Sequence, residues 1–154
     1  MLFLQFRLGQ DRYVIDCSEV VEVLPLLEIK QIPQAPSGVV GVFNYRGQPV
    51  PVVDLSELAL DRPAPRHMST RIVVARHPDG NGDFHPLGLI VEKASETVRR
   101  DRADFADSGV VNGNAPYLGP VATDAAGLVQ WIEVGKLLPA AIRDMLLAQP
   151  LECA

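Results

Sequence analysis

Cys17 follows Asp16 at the start of an apolar stretch with helical spacing, and a thiol at a helix N-terminus is a potential nucleophile. A nucleophile also needs a positioned base, and no histidine lies near Cys17 in sequence. A small half-buried residue is therefore the favoured reading. Asp54 follows an apolar strand, as a phosphoacceptor or catalytic aspartate does, but it also precedes Leu55 and Leu58 as an ordinary helix cap, which is preferred. His67, His77 and His85 lack the short paired spacing of a tight zinc site and read as surface histidines in or beside loops. Asp79, Asn81 and Asp83 copy the start of a calcium loop. Phe84 then stands where the sharp turn needs glycine, and Ile90 where the bidentate carboxylate belongs, so the segment reads as a polar turn. Phosphate-loop, dinucleotide, Gly-x-Ser-x-Gly and Cys-x-x-Cys patterns do not occur. No catalytic residue, metal ligand or cofactor is expected, and the chain does not read as an enzyme.

The bulk properties point the same way. The 154 residues suit one domain, or two very small units sharing a core. A net charge of −5 argues against nucleic acid, which needs a concentrated basic face. The one basic cluster, Arg99, Arg100 and Arg102, is interrupted by Asp101 and followed by Asp104 and Asp107, as in a solvated loop. No run of about twenty apolar residues exists to span a bilayer, so no direct membrane insertion is expected. The N-terminal segment lacks the basic flank and unbroken apolar run of a secretory signal. Cys17 and Cys153 are accordingly expected as reduced thiols in a cytoplasmic protein.

The elements that must position any site are mainly short strands between turn residues. The alternation from Leu2 to Arg7 predicts a strand, Gly9 to Asp11 a turn, and Tyr13 to Ile15 its return. Val20, Val21, Val23 and Leu24 predict a helix over Cys17–Leu24, capped by Asp16 or Ser18 and ended at Pro25. Strands are expected over Val39–Tyr45 and Pro49–Val53 around Arg46-Gly47-Gln48, and a short helix from Asp54 to Leu60. The proline-rich Arg62–Ser69 reads as an exposed loop. Further strands are expected at Thr70–Ala75, Leu87–Val91 and Ser95–Val98, then a long polar loop over Arg99–Ala115. A hairpin is expected over Tyr117–Ala122 and Leu128–Ile132. A helix from Leu137 carries Pro139 in its first turn and Ile142, Met145 and Leu146 as its apolar face. Many short strands with Gly and Pro turns mean small barrels or a sandwich. No repeat or linker divides the chain.

The segment from Val20 to Leu55 carries a longer signal: Val-Val-Glu-Val-Leu-Pro-Leu, then Ile-Pro-Gln-Ala-Pro, then Gly-Val-Val-Gly-Val-Phe-Asn-Tyr-Arg-Gly, then Pro-Val-Pro-Val-Val-Asp-Leu. This ordered series resembles the CheW family of chemotaxis coupling proteins. The flanks agree, with Phe6–Ile15 similar to the family's opening hairpin, Leu87–Glu96 to its central strand, and Gly127–Leu138 to its closing strand and Leu-Leu helix. Departures are Glu92 for the usual Asp, Thr97 for an apolar residue, and Asn-Tyr-Arg-Gly for Asn-Leu-Arg-Gly. They suit a coupling protein of an alternative, Wsp-type surface-sensing pathway as well as one for swimming.

The resemblance implies a mainly β fold of two small five-stranded, SH3-like β-barrels sharing a core, with short helices and a C-terminal helix, as a single CheW-like domain over residues 1–154. It implies a non-catalytic adaptor for two partners: the regulatory domain of a CheA-type histidine kinase and the cytoplasmic tip of methyl-accepting chemoreceptors. The receptor helix would lie in an apolar groove between the barrels. The positions carried over are Val20, Glu22, Val39, Gly41, Val42, Asn44, Arg46, Gly47 and Val91. Glu22 and Arg46 match an ion pair beside that groove, while the four valines line the groove or fill the core. Gly41 and Gly47 serve close backbone approach or turn geometry. The competing readings are a small-molecule-binding β-barrel, a minor hydrolase using Asp54 and a histidine, and a CheW-like module detached from a larger kinase or regulator fusion.

Overall fold

The computed structural model describes residues 1–109 and 113–147. The N-terminal strands are β1 (Leu2–Leu8), β2 (Asp11–Asp16), β3 (Val20–Pro25), β4 (Lys30–Gln31), β5 (Val39–Tyr45) and β6 (Gln48–Asp54). Helix α1 (Leu55–Leu60) precedes β7 (Arg71–Pro78), β8 (Phe84–Arg99), β9 (Leu118–Asp124), β10 (Gly127–Ile132) and helix α2 (Ala140–Leu147). The fold is mainly β, as expected.

The strands form two halves that share β8. In one half the order is β8, β1, β2, β10, β9, with β2 and β10 parallel. In the other it is β4, β5, β6, β8, β7, β3, with β6 and β8 parallel. The first part of β8 pairs with β7 through residues 84–91, and its last part pairs with β1 through residues 96–99. Between them Lys93 takes φ +49°, and the register against β1 shifts between Gln5 and Arg7. Sequence reading splits β8 in two because the polar step at Glu92 and Lys93 breaks its apolar run.

Neither half is laced into a ring by its backbone ladder among the described residues. The second half is bridged instead by side chains. Near the β5–β6 turn, Tyr45 and Arg46 reach Glu22 on β3, at the far end of that sheet.

Alternation sorts side chains into three apolar clusters. Leu4, Phe6 and Leu8 of β1 meet Val73 and Ala75 of β7 and Leu87, Leu89 and Val91 of β8 in a core shared by both halves. The opposite faces of β7 and β8 supply Ile72, Val74 and Ile90 to a second cluster with Phe43, Val50 and Val52. Phe3 and Val14 form a third with Ala122 and Val129. Each fully buried large aliphatic or aromatic side chain contributes about 1.5–3 kcal/mol. Arg12 ties β2 to the β9–β10 hairpin by a fork onto Asp124 at 2.7 and 2.9 Å, and Arg100 adds a contact at 2.8 Å. These guanidiniums, Arg12 first, hold the Asp124 carboxyl well below the ordinary carboxylate range. Arg100 is thus anchored, not part of a solvated loop.

Four expectations are corrected. Cys17–Leu24 is not a helix: Cys17–Glu19 is a single 3-10 turn capped by Asp16, and Val20–Pro25 is a strand whose exposure alternates residue by residue. Its valines fit a pleated surface better than a helix, where their χ1 freedom is lost. Met145 is 60% exposed, while Ile142 and Leu146 of α2 do pack on the shared core. Pro139 lies just before α2. His77 is not a surface residue but is fully buried on β7. Cys153 lies outside the described residues.

The His77 ring has its Nδ1 at 2.7 Å from the Pro78 carbonyl, to which Nδ1–H donates, and its Nε2 has no partner among the described protein groups. Burial lowers its pKa, with the charges of Arg143 and His85 adding to the effect and the Pro78 carbonyl opposing it. The unfolded chain therefore binds this proton more readily than the folded one. The stability contribution is complete above the unfolded value of about 6.5 and is lost as pH falls below it. Urea unfolding between about pH 7.5 and 5.5 should show stability falling by up to about 1.4 kcal/mol per pH unit below 6.5. His77→Phe should flatten that slope; an unchanged slope would remove His77 as its source.

Candidate functional site

The β5–β6 hairpin is built around Arg46 and Gly47, with Tyr45 opposite Gln48. Both central residues have positive φ, +53° and +84°, as a two-residue turn between twisted strands requires. A Cβ at Gly47 would meet nothing within 4 Å, so its glycine serves the turn alone. The Asn44 side-chain oxygen accepts from the Gly47 amide at 2.8 Å and steadies that turn. Asn44 is thereby occupied with local geometry.

From this turn two side chains converge on one carboxylate oxygen. Glu22 Oε1 accepts from Arg46 Nη2 at 2.8 Å and from the Tyr45 hydroxyl at 2.9 Å. The Arg46 guanidinium also lies 5.1 Å from the centre of the Tyr45 ring. Desolvation, and then the bond to Glu22, raises the Tyr45 phenol pKa. Arg46 remains 73% exposed, so its remaining donors are open to a partner, and the pair itself adds only about 0–1 kcal/mol to stability. Tyr45 was missed in the sequence reading as a third member of this cluster. Its only signal was the departure from Asn-Leu-Arg-Gly.

The other candidate residues divide among three environments. Val42, Asn44 and Gly47 line an open recess with Glu28, Lys30 and Pro49. Val20 packs at the margin of the shared core. Val91 is fully buried in that core and Val39 nearly so, which removes Val91 from any groove lining. Val39 does border a small apolar slot with Val53, Leu58, Tyr117, Leu137 and Ile142. Gly41 sits under β4: a Cβ there would lie 2.0 Å from the Lys30 carbonyl oxygen. Its glycine is required by close backbone approach.

The residues first weighed for chemistry are engaged elsewhere. Asp54 is 3% exposed, and its carboxylate accepts from the amides of Ser56, Glu57 and Ala64, which caps α1 and anchors the following loop. The Ser56 hydroxyl donates to the buried Glu92 carboxylate, which Arg62 also approaches at 3.4 Å. Burial, and secondarily Asp16, raises the Cys17 thiol pKa, the opposite of what an activated nucleophile needs. Asp79 accepts from the amides of Asn81 and Asp83 and contacts His85 Nε2 at 3.0 Å, as the core of a polar turn. Among the described residues, no three His, Cys, Asp or Glu side chains are placed to hold a metal ion. No helix among them is long and apolar enough to cross a membrane.

Comparisons with known proteins bear on the whole of this arrangement. The family model of the CheW-like domain matches residues 2–141. A chemotaxis protein CheW of Helicobacter pylori (strain ATCC 700392 / 26695) is 26% identical over 103 residues, which span 67% of this chain and 59% of the relative's length. The crystal structure of scaffolding protein TtCheW from Thermoanaerobacter tengcongensis is 24% identical and superposes with a TM-score of 0.77. That match covers 90% of this chain and 87% of the other, and it is a likeness of fold.

The two glycines give separable outcomes. Gly41→Ala should cost about 1–3 kcal/mol through overpacking and should release the β4 pairing, seen as faster amide exchange at Ile32. Gly47→Ala should cost about 1–2 kcal/mol of left-handed strain and leave that exchange unchanged. Equal effects on Ile32 would refute the distinction.

Proposed function

The chain belongs to the CheW-like family, and we propose that it is a non-catalytic scaffold of chemotaxis-type signal transduction. In this role it couples the cytoplasmic tip of methyl-accepting chemoreceptors to the regulatory domain of a CheA-type histidine kinase. The observation that carries this reading is the family match over nearly the whole described chain. The names of a chemotaxis relative and of a scaffolding protein of like fold support it. In such a role the protein acts in the cytoplasm and reaches receptor arrays through its partners.

The receptor contact centres on the Glu22–Arg46–Tyr45 cluster. Glu22 and Tyr45 hold one face of the guanidinium, and the exposed remainder of its planar fork offers directed hydrogen bonds to a carboxylate or carbonyl on a receptor helix. Val20, Val42, Asn44 and Gly47 shape the surface around it, and Gly41 lets β4 lie close beneath. The apolar slot at Val39 suits an aliphatic anchor. Val91 supports this surface from the core. The kinase domain docks through a separate barrel face, so both partners are held at once. The output is then the relative placement of receptor and kinase, which biases an equilibrium without any bond being made or broken.

Arg46→Glu places like charges beside Glu22. Binding of a receptor-tip fragment should weaken about tenfold, equivalent to roughly 1.4 kcal/mol, while circular dichroism and kinase-domain binding change little. Glu22→Arg in the same molecule should recover part of the loss. Wild-type receptor affinity in Arg46→Glu would remove the site assignment. Failure of the unaltered chain to bind either cognate partner would remove the coupling role itself.

A further inference from the structure

At the far end of β3 lies a recess that the Glu22 cluster does not use. Its apolar walls are Val23, Leu24, Pro25, Leu26 and Met68, and Arg66, His67 and Arg71 stand around it. Met68 is 93% exposed and Val23 41%, and they share one recess instead of standing singly on the surface. The recess lies at the Pro25 end of β3 beside the segment before β7, and it shares no lining residue with the Glu22–Tyr45–Arg46 cluster. No Asp or Glu lines the recess, and neither Arg66 nor Arg71 has an ion pair among the described residues. In a chain of net charge −5, an apolar recess with two uncompensated guanidiniums selects for an anionic partner bearing an apolar group.

We propose that this recess docks an acidic segment of a partner protein, with one aliphatic side chain against Val23 and Met68 and carboxylates at Arg66 and Arg71. A protein segment fits better than a phosphate polymer or an anionic bilayer. Two arginines make no continuous basic stripe of the kind either would need. A polyphosphate backbone would also leave Val23 and Met68 uncovered. The proposal stands independently of the receptor and kinase roles above.

The test titrates the isotopically labelled full chain with a short synthetic peptide of Asp and Glu carrying one central Leu, followed by amide chemical shifts. Saturable shifts confined to residues 23–26 and 66–71 are expected. Arg66→Glu, at a fully surface position, should weaken binding about tenfold, and Arg71→Gln should weaken it by a smaller factor. Replacing the peptide's Leu with Ser, or Met68 with Ser, should weaken it about threefold, and added salt should weaken it in every case. Oligodeoxythymidylate and phosphatidylglycerol vesicles should bind less tightly than the peptide. The proposal is overturned by absent or unsaturable binding, by shifts elsewhere, by indifference to Arg66→Glu in a folded variant, or by equal binding of the oligonucleotide or vesicles.

Discussion

The fold depends on one strand having to serve two sheets. β8 runs for sixteen residues, and its first part supplies the centre of one sheet, flanked by β6 and β7. Its last part is the edge on which β1 lies. A straight strand cannot do both, because the two sheets face each other across the shared core. The left-handed conformation of Lys93, at φ +49°, turns the strand between them. A non-glycine residue there is strained, and the surrounding pairings hold it in place. Buried Leu87, Leu89 and Val91 then face the β1 side chains, so the two halves cannot part without exposing one continuous core.

The halves are joined to themselves in different ways. Arg12, Asp124 and Arg100 form an ionic knot, with both guanidiniums largely covered, that fixes β2 against the β9–β10 hairpin. Among the described residues, the other half has no comparable knot at its open seam. There Glu22 reaches from β3 to Tyr45 and Arg46, and Leu24, Leu26 and Ile29 pack beneath onto the Phe43 cluster. The cluster read as a partner site is thus also the side-chain clasp of a seam that backbone bonds leave unlaced. The two closed barrels expected from the sequence are thus not formed by the backbone ladder among the described residues, although the mainly β fold is.

Much of this was legible in the sequence where a residue's local chemistry and its tertiary role agree. Arg46-Gly47 between two apolar alternating runs makes a hairpin, and Asp54 before Leu55 makes a cap; the structure contains both. Legibility failed where two periodicities fit the same residues. Val20, Val21, Val23 and Leu24 satisfy a helical stripe, yet the partner strand β7 decides for extension. It failed again at His77, whose neighbours Arg76 and Pro78 are those of a surface loop although its ring is in the core. The meeting of Glu22 and Arg46, 24 residues apart, came from resemblance and not from spacing. No periodicity carries the curl of a sheet that joins such positions. Tyr45 joined that cluster with no signal but its departure from Asn-Leu-Arg-Gly, and Val91 was left between groove and core because burial and partner contact draw on the same apolar residue types.

The sharing of β8 also orders events in time. The half built from β3 to the first part of β8 is contiguous, from Val20 to Val91. The other is assembled from both ends of the chain, with β1 and β2 waiting for residues 92–99 and for β10 at Gly127–Ile132. During vectorial synthesis the contiguous half has all its strands long before its counterpart does. Leu4, Phe6 and Leu8 emerge before the strands that cover them and are the face that waits. The high sequence separation of those contacts makes their closure the slow event in maturation. The nascent β1–β2 hairpin is therefore the part of this chain most in need of shielding before its partners arrive.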